Sequence, residues 1–368
     1  MKKVTLKDIA QASGYSLVSV HRAMNNKEGV SQAVRQEILR VANELGYTTN
    51  YVASALKRRP VNLAVVLPGA NDGGRYYFRY IWKGCHAAHN EVSGYNLNVM
   101  EYAFSTEGDD DGSEKQIEIL KKLYEEWGDR LDGLLTAPAY NSLRLQCLLA
   151  QFTGRGVSVV LIDNDFEDCG RLCCIAPNDT YTGRLSAELM DLCLKGRKGT
   201  ILVAEGEGLS WSHKMNQTGF EAYFKEHNPD IKIWHARDLH DDKANCRQMV
   251  KGLQEIPDII GAYSMRAKNT MPMCHALCQT GRQAEVFAVG SDLFPESAQM
   301  LRDGVLKAIV YKAPYEKGYK GFKALFECLI KGEAPETEAV SVQISIIMQS
   351  NMQFFEGFIK SRKSSKSI

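Results

Sequence analysis

The sequence predicts a small all-α head joined to an α/β body of two doubly wound lobes. Three observations carry this. The first fifty residues hold three short apolar periodicities of helical spacing, short apolar runs alternate with helical patterns from Asn62 onward, and the two parts differ in charge. Residues 1–60 carry ten Lys and Arg against four acids, whereas the rest carry 35 against 40, so a net charge of +1 hides a basic head on a slightly acidic body. That split suits a polyanion-binding module attached to a sensing domain. A length of 368 residues also exceeds one ordinary core.

In the head, Thr5 and Asp8 form a Thr-x-x-Asp cap for a helix whose Leu6, Ile9 and Ala10 share a face, and Gly14 stops it. Ser16 opens a second helix through Met24, with Val20 and Ala23 inward and Leu17, Val18, Ser19 and Arg22 outward. Ser31 opens a third, with Val34, Ile38, Val41, Ala42 and Leu45 at core spacing, ending at Gly46. Two short helices across a Gly-containing turn, completed by a third, make a helix-turn-helix, whose second helix enters the DNA major groove. Small protein-binding bundles share the pattern; the basic excess favours DNA. Asn50 to Arg59 follows with the small residues Ala53, Ser54 and Ala55, then Leu56, three cations and Pro60. So short a helix is marginal in water by itself.

The body offers strands at Leu63–Leu67, Leu97–Glu101, Gly133–Thr136 and Val157–Ile162 in the first lobe. Thr200–Ala204, Ile231–His235, Ile259–Tyr263 and Val286–Val289 follow in the second, with helices such as Glu114–Trp127 and Lys214–His227 between strands. The chain is expected to return to the first lobe near Lys307–Tyr311 and to supply last strands around Val340–Met348. Three crossings make a hinged clamshell with ligand at the strand C-terminal ends.

Catalysis is not expected. No Gly-x-Gly-x-x-Gly follows the first strand, Gly206-Glu207-Gly208 lacks the third glycine, and neither a nucleophile elbow, a phosphate loop nor a paired zinc motif occurs. No cofactor and no metal is therefore expected. Ten cysteines lie scattered after residue 84 and read as thiols. Cys274 and Cys278, at i and i+4, share a helix face without a second ligand pair, and Cys173-Cys174 would point to opposite faces of a strand. No run reaches the ~20 apolar residues of a membrane helix, and Met1-Lys2-Lys3 leads into polar residues rather than a signal sequence, so a cytoplasmic protein with no membrane partner is expected.

The runs Val4-Thr5-Leu6-Lys7-Asp8-Ile9-Ala10, Ser16 to Asn25 with Ser19-Val20-His21-Arg22, Val30-Ser31, and Leu45-Gly46-Tyr47-Thr48-Thr49-Asn50-Tyr51-Val52-Ala53 resemble the lactose-repressor (LacI/GalR) family of transcriptional regulators. Tyr15 and Thr49 depart from that pattern, where a Val and a Pro are usual. The resemblance implies a helix-turn-helix DNA-binding domain over 1–49, a hinge helix and linker over 50–60, a periplasmic-binding-protein-like effector and dimerisation domain over 61–350 and a tail over 351–368. It also implies a homodimer on a pseudo-palindromic double-stranded operator. Leu17, Val18 and Arg22 are implied as base readers, and Thr5, Ser16, Asn25, Ser31 and Tyr47 as phosphate contacts. Chemistry agrees, since a guanidinium can pair with guanine O6 and N7 while Leu and Val offer only apolar surface to thymine methyls. Asn50, Ala53 and Leu56 are implied as the minor-groove hinge, with Leu56 the wedge.

For the body the resemblance implies a small sugar-like effector held between the lobes by Tyr77, Phe78, Asp163, Asn164, Trp211, Asn216, Arg266, Asp292 and Lys312. A body that answers to a protein partner is the alternative. Against the family pattern the cleft loses an Arg at Asn216 and gains cations at Arg266 and Lys312. These favour a sugar acid or phosphorylated sugar, unless Arg266 and Lys312 pair internally with Asp163, Asp165 or Asp292 and leave a site for a neutral sugar stacked on Tyr77, Phe78 and Trp211.

Overall fold

The computed structural model describes residues 4–24, 28–47, 59–106, 112–206 and 210–359. The expectations for Asn25, Asn50, Ala53 and Leu56 therefore lie outside the described residues. Two compact units divide between Arg58 and Arg59.

The head consists of α1 (Leu6–Ser13), α2 (Leu17–Met24) and α3 (Gln32–Glu44) around Ile9, Val20, Ala23, Ile38, Val41 and Ala42. Its caps are those read from sequence. Thr5 and Asp8 exchange hydrogen bonds in a capping box, Ser16 Oγ accepts from Ser19 N at 3.1 Å, and Ser31 Oγ accepts from Val34 N at 3.4 Å. Gly14, at φ 72°, takes the left-handed turn that a side chain would strain.

In the body, the first sheet contains β1 (Val61–Pro68), β2 (Leu97–Phe104), β3 (Gly133–Thr136), β4 (Ser158–Ile162) and β5 (Cys173–Ala176). The second contains β6 (Thr200–Ala204), β7 (Lys232–Ala236), β8 (Ile259–Ser264), β9 (Phe287–Ser291) and β10 (Ala308–Tyr311). Each follows one order, β2-β1-β3-β4-β5 and β7-β6-β8-β9-β10, all parallel. This is the doubly wound arrangement that opens a crevice at the strand C-termini. The exchange strands complete the two: β11 (Ala339–Ser341) adds parallel to β5, and β12 (Ser345–Ile347) adds antiparallel to β10. The chain thus crosses between lobes after β5, after β10 and between β11 and β12.

One expectation is corrected. The segment around Lys307–Tyr311 does not return to the first lobe; its strand β10 is bonded to β9 in the second sheet. The return comes just beyond, through Ala313 at φ 52° and α12 (Pro314–Phe326), which packs on α4 (Phe78–Glu91). An apolar run marks a strand but not the sheet that receives it, because both sheets offer an equivalent edge.

Successive residues of each strand feed opposite faces. On β1, Leu63, Val65 and Leu67 join one apolar cluster with Ile81 and Leu325, while Ala64 and Val66 join another with Ile117 and Phe152. Cys173 and Cys174 divide in the same way. Each lobe also has one helix pair pressed backbone to backbone through glycines. In the first, Gly84 of α4 lies against Tyr315 of α12 and Gly318 against Ile81. In the second, Gly183 of α7 (Asp179–Leu194) lies against Asn216 of α8 (Trp211–His227), and Gly219 against Thr180. Arg59, counted in the basic excess, is bound to the body by a two-pronged ion pair with Asp132 at 2.6 and 2.9 Å. Beyond residue 350, Phe355 packs edge-on against Tyr311 and Phe358 tilts against Tyr315. Among the described residues no helix is long and apolar enough to cross a membrane.

Candidate functional site

Within the head, the outer face of α2 is bare of packing. Leu17 is 44% and Val18 60% exposed, and Arg22 is exposed beside them, while Val20 and Ala23 on the same helix are buried. Exposed apolar side chains beside a guanidinium suit a groove floor of thymine methyls and guanine edges better than a folded core. Gly29 leaves room for Arg22, since a Cβ there would lie 2.9 Å from Arg22 Nη1. Thr5, Ser16 and Ser31 sit at the three helix N-termini as caps, each hydroxyl oxygen accepting from a backbone N–H three residues on, and Thr5 Oγ1 donates to Asp8. Tyr47 is half-buried against the head core. Among the described residues of the head, Lys7, Arg22, Arg35 and Arg40 equal in number Asp8, Glu28, Glu37 and Glu44, and Arg40 is held by Glu37 and Glu44. Of the remaining cations in residues 1–60, Arg59 is paired with Asp132 in the body, and Lys2, Lys3, Lys27, Lys57 and Arg58 lie outside the described residues.

Within the body, a cleft of about 890 Å³, counting the solvent at its mouth, opens at the strand C-termini between the two sheets. That volume is in the range of small-molecule sites. Tyr77, Phe78, Asp163, Asn164, Arg266 and Lys312, six of the positions that the resemblance implies, line it. Asp163 and Asp292 each end a strand in the left-handed region, at φ 66° and 58°, which turns the side chain back across the sheet edge; Asp tolerates this better than most residues.

The charges are paired, and chiefly within each lobe. Lys317 Nζ donates to Asp163 Oδ1 and to Tyr77 Oη, and Tyr77 Oη donates to Asp163 at 2.9 Å. Burial, then the Asp163 carboxylate, pushes the Tyr77 hydroxyl well above its ordinary pKa. Lys312 Nζ lies 3.4 Å from Asp292 Oδ2 and donates to Met265 O, while its backbone N–H donates to Asp292 Oδ1 at 2.9 Å. Arg266 pairs with Asp238 at 2.5 Å rather than with Asp163, Asp165 or Asp292. Asp165 instead holds Arg171. Both lysines also stand over the Tyr77 ring, at 5.1 and 5.6 Å from its centre. Tyr77 is thereby a hub for cations as well as a ring in the wall.

Three expected contacts fall elsewhere. Trp211 is half exposed and does not line the cleft; its ring lies by Lys214. Asn216 is buried behind it and accepts from Tyr263 Oη at 3.0 Å. Asp292 is fully buried beneath Lys312. The sequence reading missed Asp179, Ser210, Ser212, His213, Lys268 and Lys317, all of which line the cleft. Lys317 carried a signal: with Gly321 and Leu325 it lies on the buried stripe of α12, where a lysine needs a partner. Burial raises the Asp179 carboxyl to about 6, against the opposing pull of Lys317 and a hydrogen bond from Ser212.

The lobes are also stitched together at the cleft. Helix α8 lacks a side-chain cap from its own Ser210. First-lobe amides supply it: Asn141 Oδ1 accepts from Trp211 N at 3.2 Å, and Asn164 Oδ1 from Ser212 N at 3.2 Å and Ser210 Oγ at 3.4 Å. Asn164 is thus engaged in joining the lobes as well as lining the site.

Comparison with known proteins agrees with this architecture. The family model for bacterial regulatory proteins of the lacI family matches residues 5–50, and that for the periplasmic binding protein domain matches residues 63–334. The chain is 21% identical over 349 residues to the ribose operon repressor of Bacillus subtilis (strain 168), covering 93% of this chain and 97% of that one. It is 26% identical over 163 residues to the HTH-type transcriptional regulator DegA of the same organism, an alignment that spans only 44% of either chain. The solved structure of GanP, a glucose-galactose binding protein from Geobacillus stearothermophilus, superposes with a TM-score of 0.68 at 22% identity, over 80% of this chain and 99% of that one. With a helix-turn-helix head that matches the one family model and a two-lobed body that matches the other, this chain belongs to the lacI family of bacterial DNA-binding transcriptional regulators.

Proposed function

We propose that this regulator binds a pseudo-palindromic operator as a homodimer and that a neutral sugar held between the lobes sets its operator affinity. The observation that carries the choice of ligand is the pairing of the deep cations. Lys312, Lys317 and Arg266 each have a carboxylate, so the cleft offers donors and acceptors without demanding an anion. A sugar acid would have to displace one of those carboxylates. The repressor and the binding protein that this chain resembles, one named for a ribose operon and one for glucose and galactose, agree with a sugar. Calorimetric titration with matched neutral and acidic monosaccharides tests this. Saturable binding of a neutral sugar is expected, and exclusive binding of the acids, lost in Lys312→Gln, would reverse the choice.

Asp179 gives the site a pH signature. Its carboxyl is raised to about 6 by burial, so the folded apo-protein holds its proton more firmly than the unfolded chain does, and this group's contribution to stability falls as pH rises from about 4 through 6. A sugar hydroxyl that donates to the ionised form offsets the lost hydration. Affinity for a neutral sugar is therefore expected to rise between pH 5 and 7 in the native protein and to be flat over that range in Asp179→Asn. Equal pH profiles would remove Asp179 from the site.

On the DNA side, Leu17, Val18 and Arg22 are the proposed base readers. Arg22→Ala is expected to cost about 1–3 kcal/mol at one guanine and to relax preference there. Substitution of Lys57 or Arg58 is expected to weaken operator and random DNA alike and flatten the salt dependence. Binding titrations on operators altered one base at a time separate these. The homodimer follows from the two-fold symmetry of such an operator; sedimentation at micromolar concentration is expected to give a dimer, and a monomer with and without operator would contradict it.

A further inference from the structure

The cleft does not end at the inner site. Gly73 and Lys268, which line it, also border a second chamber of about 770 Å³, again counting solvent at its mouth. Its other walls are Arg75 and Tyr76 from the first lobe and His240, Asp241, Asp242 and Lys243 from the second. This wall is built rather than incidental. The buried Tyr76 ring packs on Phe294 at 4.6 Å, and the Arg75 guanidinium lies over that ring at 4.4 Å and donates to its hydroxyl, which fixes a planar donor along one side. Opposite stand two carboxylates with different duties. Asp241 caps α9 (Asp242–Glu255) by accepting from Ala244 N at 2.6 Å. Asp242 Oδ1 is shielded from solvent and has no hydrogen-bond partner among the described residues. Such an oxygen has lost its water without gaining a donor, and burial accordingly raises this carboxyl against the pull of Lys268 and Arg75.

We propose that this outer chamber is a second sugar subsite, and that the effector is an oligosaccharide with one residue in the inner cleft and the next between Arg75 and Asp242. This rests on the reading of the inner cleft as a sugar site. The chemistry selects a hydroxyl-bearing unit over a phosphate or carboxylate. Asp242 needs a donor, which a fully ionised phosphate lacks, and Asp241 beside it repels an anion, while Arg75, Lys243 and Lys268 donate to hydroxyl oxygens. Because the chamber takes walls from both lobes, an occupant there adds contacts across the clamshell that a monosaccharide does not make.

The test is calorimetric titration of the full chain with D-glucose, D-galactose and D-ribose, with maltose, cellobiose and lactose, and with glucose 6-phosphate. At least one disaccharide is expected to bind about tenfold or more tightly than its component monosaccharides. Asp242→Ala and Arg75→Met, on opposite lobes, should each lower that affinity about tenfold and leave monosaccharide affinity unchanged. Arg75→Met keeps the result interpretable if Asp242→Ala disturbs α9. Monosaccharides that bind as tightly as disaccharides, or variants without effect on disaccharide affinity, would overturn the outer subsite while leaving the inner one standing. Preference for glucose 6-phosphate over glucose, lost in Arg75→Met, would overturn the choice of a neutral unit. Absence of binding by every sugar would instead overturn the inner site on which the proposal depends.

Discussion

Lys317→Met is expected to destabilise the body by about 3–5 kcal/mol, because it leaves the Asp163 carboxylate in a buried place without its counter-charge. Lys317 is 1% exposed, and its ammonium supplies donors to both Asp163 and Tyr77. At about 2–4 °C per kcal/mol for a domain approaching this size, the melting temperature should fall by roughly 6–20 °C. The sign of a second change discriminates the cause. Asp163→Asn added to Lys317→Met should recover much of the loss, since the uncompensated charge goes with it. If the double variant is less stable than the single one, packing of the lysine stem rather than charge pairing explains the loss. Effector affinity should fall in both, because Tyr77 and Asp163 line the cleft.

Gly318→Ala is the second large effect. A Cβ at Gly318 would stand 1.9 Å from Ile81 O and 2.8 Å from Ile81 C, far inside van der Waals contact with backbone that no rotamer change can move. Helices α4 and α12 would have to separate along their length, and a cost of about 3 kcal/mol or more is expected, at the upper end for overpacking. Gly219→Ala repeats the experiment in the second lobe, where the Cβ would stand 2.0 Å from Thr180 O. Because Asn216 on the same helix pair supports Tyr263 from behind the cleft, Gly219→Ala should also weaken effector binding. In contrast, Gly14→Asn, in open space with the same left-handed turn, is expected to change stability little. Thermal unfolding of the three variants in parallel checks the ranking, and comparable losses at Gly14 and Gly318 would refute the argument from close approach.

The chain itself states its local chemistry. Thr5, Ser16 and Ser31 cap helices because a short hydroxyl can accept from a backbone N–H three residues on, and that depends on no distant residue. The outward face of α2 follows from helical spacing once Val20 and Ala23 are inward. Strand ends bring Tyr77, Phe78, Asp163, Asn164, Arg266 and Lys312 to one crevice, because parallel α/β units place each strand's C-terminus at the same edge.

What only the tertiary structure decided were the partnerships between segments distant in sequence. Lys317 meets Asp163 across 154 positions and Tyr77 across 240, and Arg266 meets Asp238 rather than the nearer-seeming carboxylates of the strand ends. Asn164 reaches across the lobes to cap α8, and β10 joins the second sheet although its apolar pattern fits either. The physical reason is common to all four. Spacing determines which face a residue occupies, but which charge neutralises a buried lysine, or which edge receives a strand, depends on how separate elements pack, and the composition of neither partner specifies the other.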